Sequence, residues 1–197
     1  MRAAARAADR SRRTRRTIAA AVAGVFAVAL LGAVAARSGQ TPPAAAAAAA
    51  QVTGTGAQVG ARAPKVTARA LDGRQVELPA GKPSVMFFFA SWCGSCIPEA
   101  AALGELHRER GDEVHIVAVS IDPGDTPETI KEFMQAAGNP DYPVLHDADD
   151  SIRAAYEVAS LDVTVISGAD GKVAYRDSVP STLDQLQDGL RRAGAQV

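Results

Sequence analysis

From about residue 61 onward the chain alternates apolar runs with segments of helical periodicity. Residues 85–90 (VMFFFA) are continuously apolar and aromatic, as a strand buried on both faces requires. Residues 99–110 (EAAALGELHRER) are strong helix formers and predict a helix. Residues 114–121 (VHIVAVSI) read as a second buried strand, ended by Asp122-Pro123-Gly124. Thr126 caps a further helix with Pro127 at its first position; Ile130, Phe133, Met134 and Ala137 share one face, and Gly138 stops it. Residues 142–146 form a short strand, 151–156 a short helix, and 163–167 a strand that meets 173–177 across the turn at Asp170-Gly171. The last helix starts near Ser181 and runs to about Arg192, with Leu183, Leu186 and Leu190 inward. Ahead of all these, residues 66–71 and 74–78 flank Asp72-Gly73, a two-residue hairpin signal. The alternation predicts an α/β domain with a central mixed sheet and helices on both faces.

The first 60 residues follow a different pattern. Residues 1–17 hold seven arginines and one acid, Asp9, and residues 18–36 run nineteen residues without a charge. That is close to the ~20 residues a helix needs to cross a bilayer. Arginines ahead of the apolar run predict a single-pass cell-membrane anchor with the N-terminus in the cytoplasm and the rest of the chain outside it. The small residues Ala33, Val34 and Ala35 also fit a signal-peptidase site, which would release a secreted protein, and Arg15-Arg16 fits a twin-arginine export signal. Residues 37–60 are rich in Ala, Gly, Thr and Pro and read as a linker. Residues 61–197 then make one domain of ordinary size. The whole chain carries −1, and since residues 1–17 contribute +6, everything after them is acidic at −7. This argues against a nucleic-acid partner, which needs a basic footprint.

The unusual chemistry is concentrated at Cys93 and Cys96, the only cysteines, which follow the aromatic strand and open the helix. A closed zinc site would need two further ligands, and His107, His115 and His146 show no pair spacing. The junction instead fits a redox dithiol. The helix start offers unpaired N–H groups and the positive end of the dipole, which favour a thiolate at Cys93. Cys96, one turn on, is placed to resolve a mixed disulfide formed through Cys93. His115, inside an apolar strand, reads as a satisfied structural histidine. No phosphate-binding loop and no Ser-His-Asp arrangement is visible.

The run FFF-ASWCGSC, the leading Asp-Gly hairpin, the strand-helix-strand of residues 114–147, and Tyr156-Glu157-Val158 followed by a strand and Asp170-Gly171-Lys172 together resemble the TlpA/ResA-type membrane-anchored thiol-disulfide oxidoreductases of the thioredoxin superfamily. The likeness covers residues 60–192. It implies a thioredoxin-like fold with an N-terminal hairpin and an inserted strand-helix-strand, and catalysis by Cys93 and Cys96. It also implies Glu99 as proton acceptor for the buried thiol, against the simpler role of an acid in a helix's first turn. Trp92 would shield the attacking cysteine and pack on substrate, with Gly94 and Ser95 tuning the pair. No organic cofactor is implied. The implied partners are protein thiols or disulfides, among them apocytochrome c and other exported proteins, and a membrane thiol carrier as electron donor. Two departures stand out. Asp162 occupies the place of the family's cis-proline, so a trans bond is expected there, with its carboxylate either opposing the Cys93 thiolate or pointing into water. Ala101 stands where a helix-kinking proline is usual, with Pro98 three residues earlier. A copper-handling module using both thiolates, and a thiol peroxidase, are the alternative functions, although the peroxidatic motif is absent.

Overall fold

The computed structural model describes residues 50–197, so the Arg-rich segment, the apolar run and residues 37–49 of the expected linker lie outside the described residues. Among the described residues no helix is long and apolar enough to cross a membrane.

A five-stranded mixed sheet forms the centre. Its order is β6 (Val144–His146), β5 (His115–Ser120), β4 (Ser84–Phe89), β7 (Val163–Ser167) and β8 (Val173–Arg176). β4 runs parallel to β5, and β5 parallel to β6, while β7 is antiparallel to both β4 and β8. All six residues of β4 are buried, as its unbroken apolar run requires. Because side chains alternate along a strand, Val85, Phe87 and Phe89 face one layer and Met86 and Phe88 the other.

The first layer is helical: α1 (Cys96–Arg110), α2 (Pro127–Ala136) and α4 (Leu183–Arg192) bring Leu103, Leu106, Ile130, Phe133, Leu186 and Leu190 onto that face. Phe89 stacks on Phe133 with ring centroids 4.4 Å apart. The other face was expected to carry helices too, but it is covered by a small antiparallel sheet, β1 (Gln51–Thr53), β2 (Lys65–Arg69) and β3 (Gln75–Leu78), with only the short α3 (Ser151–Ala155) beside it. The leading hairpin thus becomes a lid over Met86, Phe88, Val117 and Val119.

Three details differ from the sequence reading. The hairpin turn has three residues, since Arg69 pairs with Gln75 and the Ala70 N–H donates to the Arg74 carbonyl at 2.8 Å. Gly73 takes the left-handed φ of +89° that this turn needs. The linker ends earlier than residue 60: β1 pairs with β2, Ala57 is fully buried, and the Gly56 N–H donates to the Ala155 carbonyl. Finally, α1 runs unbroken from Cys96, with Pro98 in its first turn, where the missing N–H costs no helix bond. The cap of α2 is as read, with Thr126 and Thr129 forming a reciprocal capping box.

Candidate active site

The site forms where β4 ends. The Cys93 N–H donates to the Ala90 carbonyl at 3.0 Å, and the Cys96 N–H to the Cys93 carbonyl at 3.2 Å, so the chain coils directly from strand into α1. This places the two cysteines with Cα atoms 5.4 Å apart, joined as a disulfide. Cys96 is fully buried, whereas Cys93 keeps 6% of its surface exposed. The difference decides which sulfur a partner reaches first.

The loop ahead of Cys93 is strapped by Asp125, a residue between the Asp122-Pro123-Gly124 turn and the Thr126 cap to which the sequence pattern assigns no function. Asp125, buried beyond the end of β5, accepts hydrogen bonds from the Ser91 N–H (2.9 Å), the Ser91 hydroxyl (2.5 Å) and the Ser120 hydroxyl (2.5 Å). Its place after a Pro-Gly turn was the available signal, but Ser91 comes from the loop that follows β4, far away along the chain. Trp92, from the same loop, is 68% exposed and donates from its indole N–H to Asp122 at 2.5 Å. It borders a groove of about 380 Å³ with Ile121, Asp122, Arg153 and Leu161. Gly94 has open space around its Cα. No described group places His146 among metal-ligating side chains; its Nε2 lies 3.3 Å from the Asp122 carbonyl oxygen. His115 is not the satisfied histidine expected, because its buried Nδ1 has no partner among the described residues, and burial holds its pKa below the ordinary value.

Asp162 faces the cysteines. Among the described residues the only cis peptide precedes Pro79, so the bond before Asp162 is trans, as expected, and Asp162 takes a left-handed φ of +56° at the start of β7. Its Oδ2 accepts from the Ser95 hydroxyl at 2.8 Å and lies 3.8 Å from Cys93 Sγ; Oδ1 is buried without a partner among the described residues. Only 5% of the residue is exposed. Burial pushes the carboxyl above the ordinary range, the Ser95 bond opposes this, and Asp177 adds to it. A carboxylate this close to a sulfur opposes ionisation of the thiol. Asp162→Asn keeps the shape and removes the charge, so the reduced Cys93 thiol is expected to ionise about one pH unit lower. The pH dependence of its alkylation by iodoacetamide measures this, and an unchanged profile would leave the helix terminus as the sole control.

Glu99 lies in the first turn of α1 and is fully buried. Its oxygens are held by the Thr164 hydroxyl at 2.5 Å and the Ser181 N–H at 2.8 Å. No hydrogen bond among the described residues joins it to either sulfur. Burial pushes its pKa up to about 7; the bonds from Thr164 and Ser181 oppose that rise, and the nearby Asp177 and Asp162 reinforce it.

The chain matches the Redoxin family over residues 58–190, more than half of its length. The chain belongs to the Redoxin family. A Streptomyces lividans relative described as mercury resistance operon ORF3 is 34% identical over 132 residues, spanning 66% of this chain and 69% of that protein. The thiol-disulfide oxidoreductase ResA of Bacillus thuringiensis is 29% identical over 140 residues, 68% of this chain and 78% of ResA. The crystal structure of a secreted Mycobacterium tuberculosis disulfide oxidoreductase homologous to Escherichia coli DsbE superposes with a TM-score of 0.55 at 25% identity, covering 65% of this chain and 93% of that one. This Redoxin-family chain is a thioredoxin-like thiol-disulfide oxidoreductase of the ResA/TlpA type, and its sole cysteine pair is the Cys93–Cys96 disulfide.

Proposed function

We propose that this oxidoreductase works outside the cytoplasm, tethered by its N-terminal apolar segment, as a reductant of disulfides in exported proteins, apocytochrome c among them. The reaction begins with the Cys93 thiolate attacking one sulfur of the substrate disulfide, which expels the other as a thiolate and leaves a mixed disulfide. Cys96 gives up its proton and attacks Cys93 Sγ, which releases the second substrate thiol and re-forms the enzyme disulfide. A membrane thiol carrier then returns the two electrons. Trp92 and the groove beside it receive the substrate chain, and Gly94 leaves room for it above the sulfurs.

The observation that carries the direction is Asp162, with Oδ2 3.8 Å from Cys93 Sγ. A strong oxidant of this kind owes its potential to a stabilised reduced form. Negative charge beside the thiolate does the opposite and makes the dithiol give up its electrons more readily. The location rests on the seven arginines followed by nineteen uncharged residues, and on the resemblance to membrane-anchored relatives.

Equilibrating the full chain against a glutathione series tests the direction. A potential nearer about −270 mV than about −120 mV is expected, and one at the oxidising end would overturn it. The location is tested in intact cells with a membrane-impermeant maleimide after mild reduction. Cys93 is expected to be labelled, and protection until lysis would refute an extracytoplasmic site. For the substrate, cells lacking the protein are expected to lose covalently attached haem c and to regain it when a small thiol is added outside; unchanged haem c would remove apocytochrome c from the proposal.

A further inference from the structure

Asp162 supplies the dithiol with a third donor. Cys93 Sγ, Cys96 Sγ and a carboxylate oxygen of Asp162 all lie within 4.8 Å of one another, and all three residues are buried. Cys-X-X-Cys is itself the ligand spacing of many zinc sites, and what the sequence lacked was any further ligand at a recognisable position. Sulfur and oxygen bound to one tetrahedral ion at about 2.3 Å and 2.1 Å stand roughly 3.6 Å apart. Asp162 Oδ2 and Cys93 Sγ are already 3.8 Å apart. Two further features point the same way. Oδ1 is buried with no hydrogen-bond partner among the described residues, a lone pair left without an electrophile. The Ser95 hydroxyl donates to Oδ2 at 2.8 Å, the kind of outer bond that orients a metal-bound carboxylate.

We propose that, in the reduced protein, Cys93, Cys96 and Asp162 bind one divalent d10 cation of the zinc type, with a fourth position left to water. The inference rests on the reading of Cys93–Cys96 as a reversible dithiol. The disulfide is first reduced with two electrons from the thiol donor of the redox cycle. Binding then transfers no electrons: the two thiols release their protons to solvent as two metal–sulfur bonds form. The carboxylate selects the metal. Cu⁺ is satisfied by soft sulfur and gains little from a hard oxygen, whereas zinc accepts mixed sulfur and oxygen ligands. Bound metal and a substrate disulfide compete for the same Cys93 sulfur, so the cation holds the reduced enzyme inactive.

The test uses the full chain in detergent, reduced and free of metal, titrated with Cd²⁺ and followed by thiolate-to-cadmium absorption, with Zn²⁺ affinity obtained by competition with a chelator. One ion per chain is expected. Asp162→Asn should weaken Zn²⁺ binding by at least about tenfold, and Ser95→Ala by less, in the range that outer-shell partners control. Circular dichroism checks both variants for folding, and should Asp162→Asn fail to fold, Ser95→Ala carries the comparison. Equal affinity in wild type and the folded variants, or more than one ion per chain, would overturn the proposal. Disulfide exchange is measured alongside without metal. Exchange with no Asp162-dependent metal binding defeats this inference alone, while metal binding without exchange defeats the redox reading on which it rests.

Discussion

Cys93→Ser is expected to reduce disulfide exchange to the uncatalysed rate, a loss on the order of a thousandfold or more for a removed nucleophile. Cys96→Ser is expected to stall instead, accumulating a covalent complex with its substrate. The asymmetry follows from position. Cys93 retains a little exposed surface, whereas Cys96, the first residue of α1, is fully buried and meets only a sulfur already delivered by Cys93. With Ser at 96 the mixed disulfide has no resolving thiol, and it persists until an external thiol cleaves it. Non-reducing gels of wild type and both variants, incubated with a disulfide-bonded protein, read this directly, and the trapped species identifies the natural substrate. A stable complex from Cys93→Ser, with free turnover by Cys96→Ser, would reverse the roles.

Stability is expected to fall as pH rises through the range set by Glu99. The ordinary glutamate value is 4.5 and the buried carboxyl sits at about 7. Between these values the folded chain holds a proton that the unfolded chain has released, so raising the pH favours unfolding. The contribution is complete below about pH 4.5, declines from there to about pH 7, and is flat above. At about 1.4 kcal/mol per pH unit the full change is roughly 3 kcal/mol. Asp162 and Asp147, also raised by burial, add a pH dependence of the same sign. Glu99→Gln cannot ionise, so its stability is expected to lack the Glu99 part of this slope. Urea unfolding of both proteins from pH 4 to pH 8 measures the difference, and parallel slopes would show that Glu99 ionises as freely in the fold as in the unfolded chain.

Elements whose signal is local were legible in the sequence. The buried strand before Cys93 announced itself by an unbroken apolar run, and α2 by Thr126, Pro127 and Gly138 at its ends. β1 was not legible, because Gln51–Thr53 is three residues long with little apolar pattern and becomes a strand only by pairing with β2. Asp125 carried no signal of its own, since its function as a strap depends on β4 and β5 lying side by side. Motif spacing singled out Asp162, yet whether it faced sulfur or water was open until β7 was placed against β4. Glu99 was placed correctly on the helix, but its partners, 65 and 82 residues away, could not be read from its neighbours.

The sequence by itself determined the reaction type. Two cysteines one helical turn apart at a strand end are a local arrangement, and the spacing alone brings the sulfurs within bonding reach. The tertiary structure decided the charge environment of that reaction, because the Asp162 carboxylate at Cys93 and the groups holding Glu99 arrive on β7 and the segment before α4. Coulombic and hydrogen-bond energies depend on distance through space and on burial, not on separation along the chain. The charge placed beside the two sulfurs is therefore a property of the packed domain.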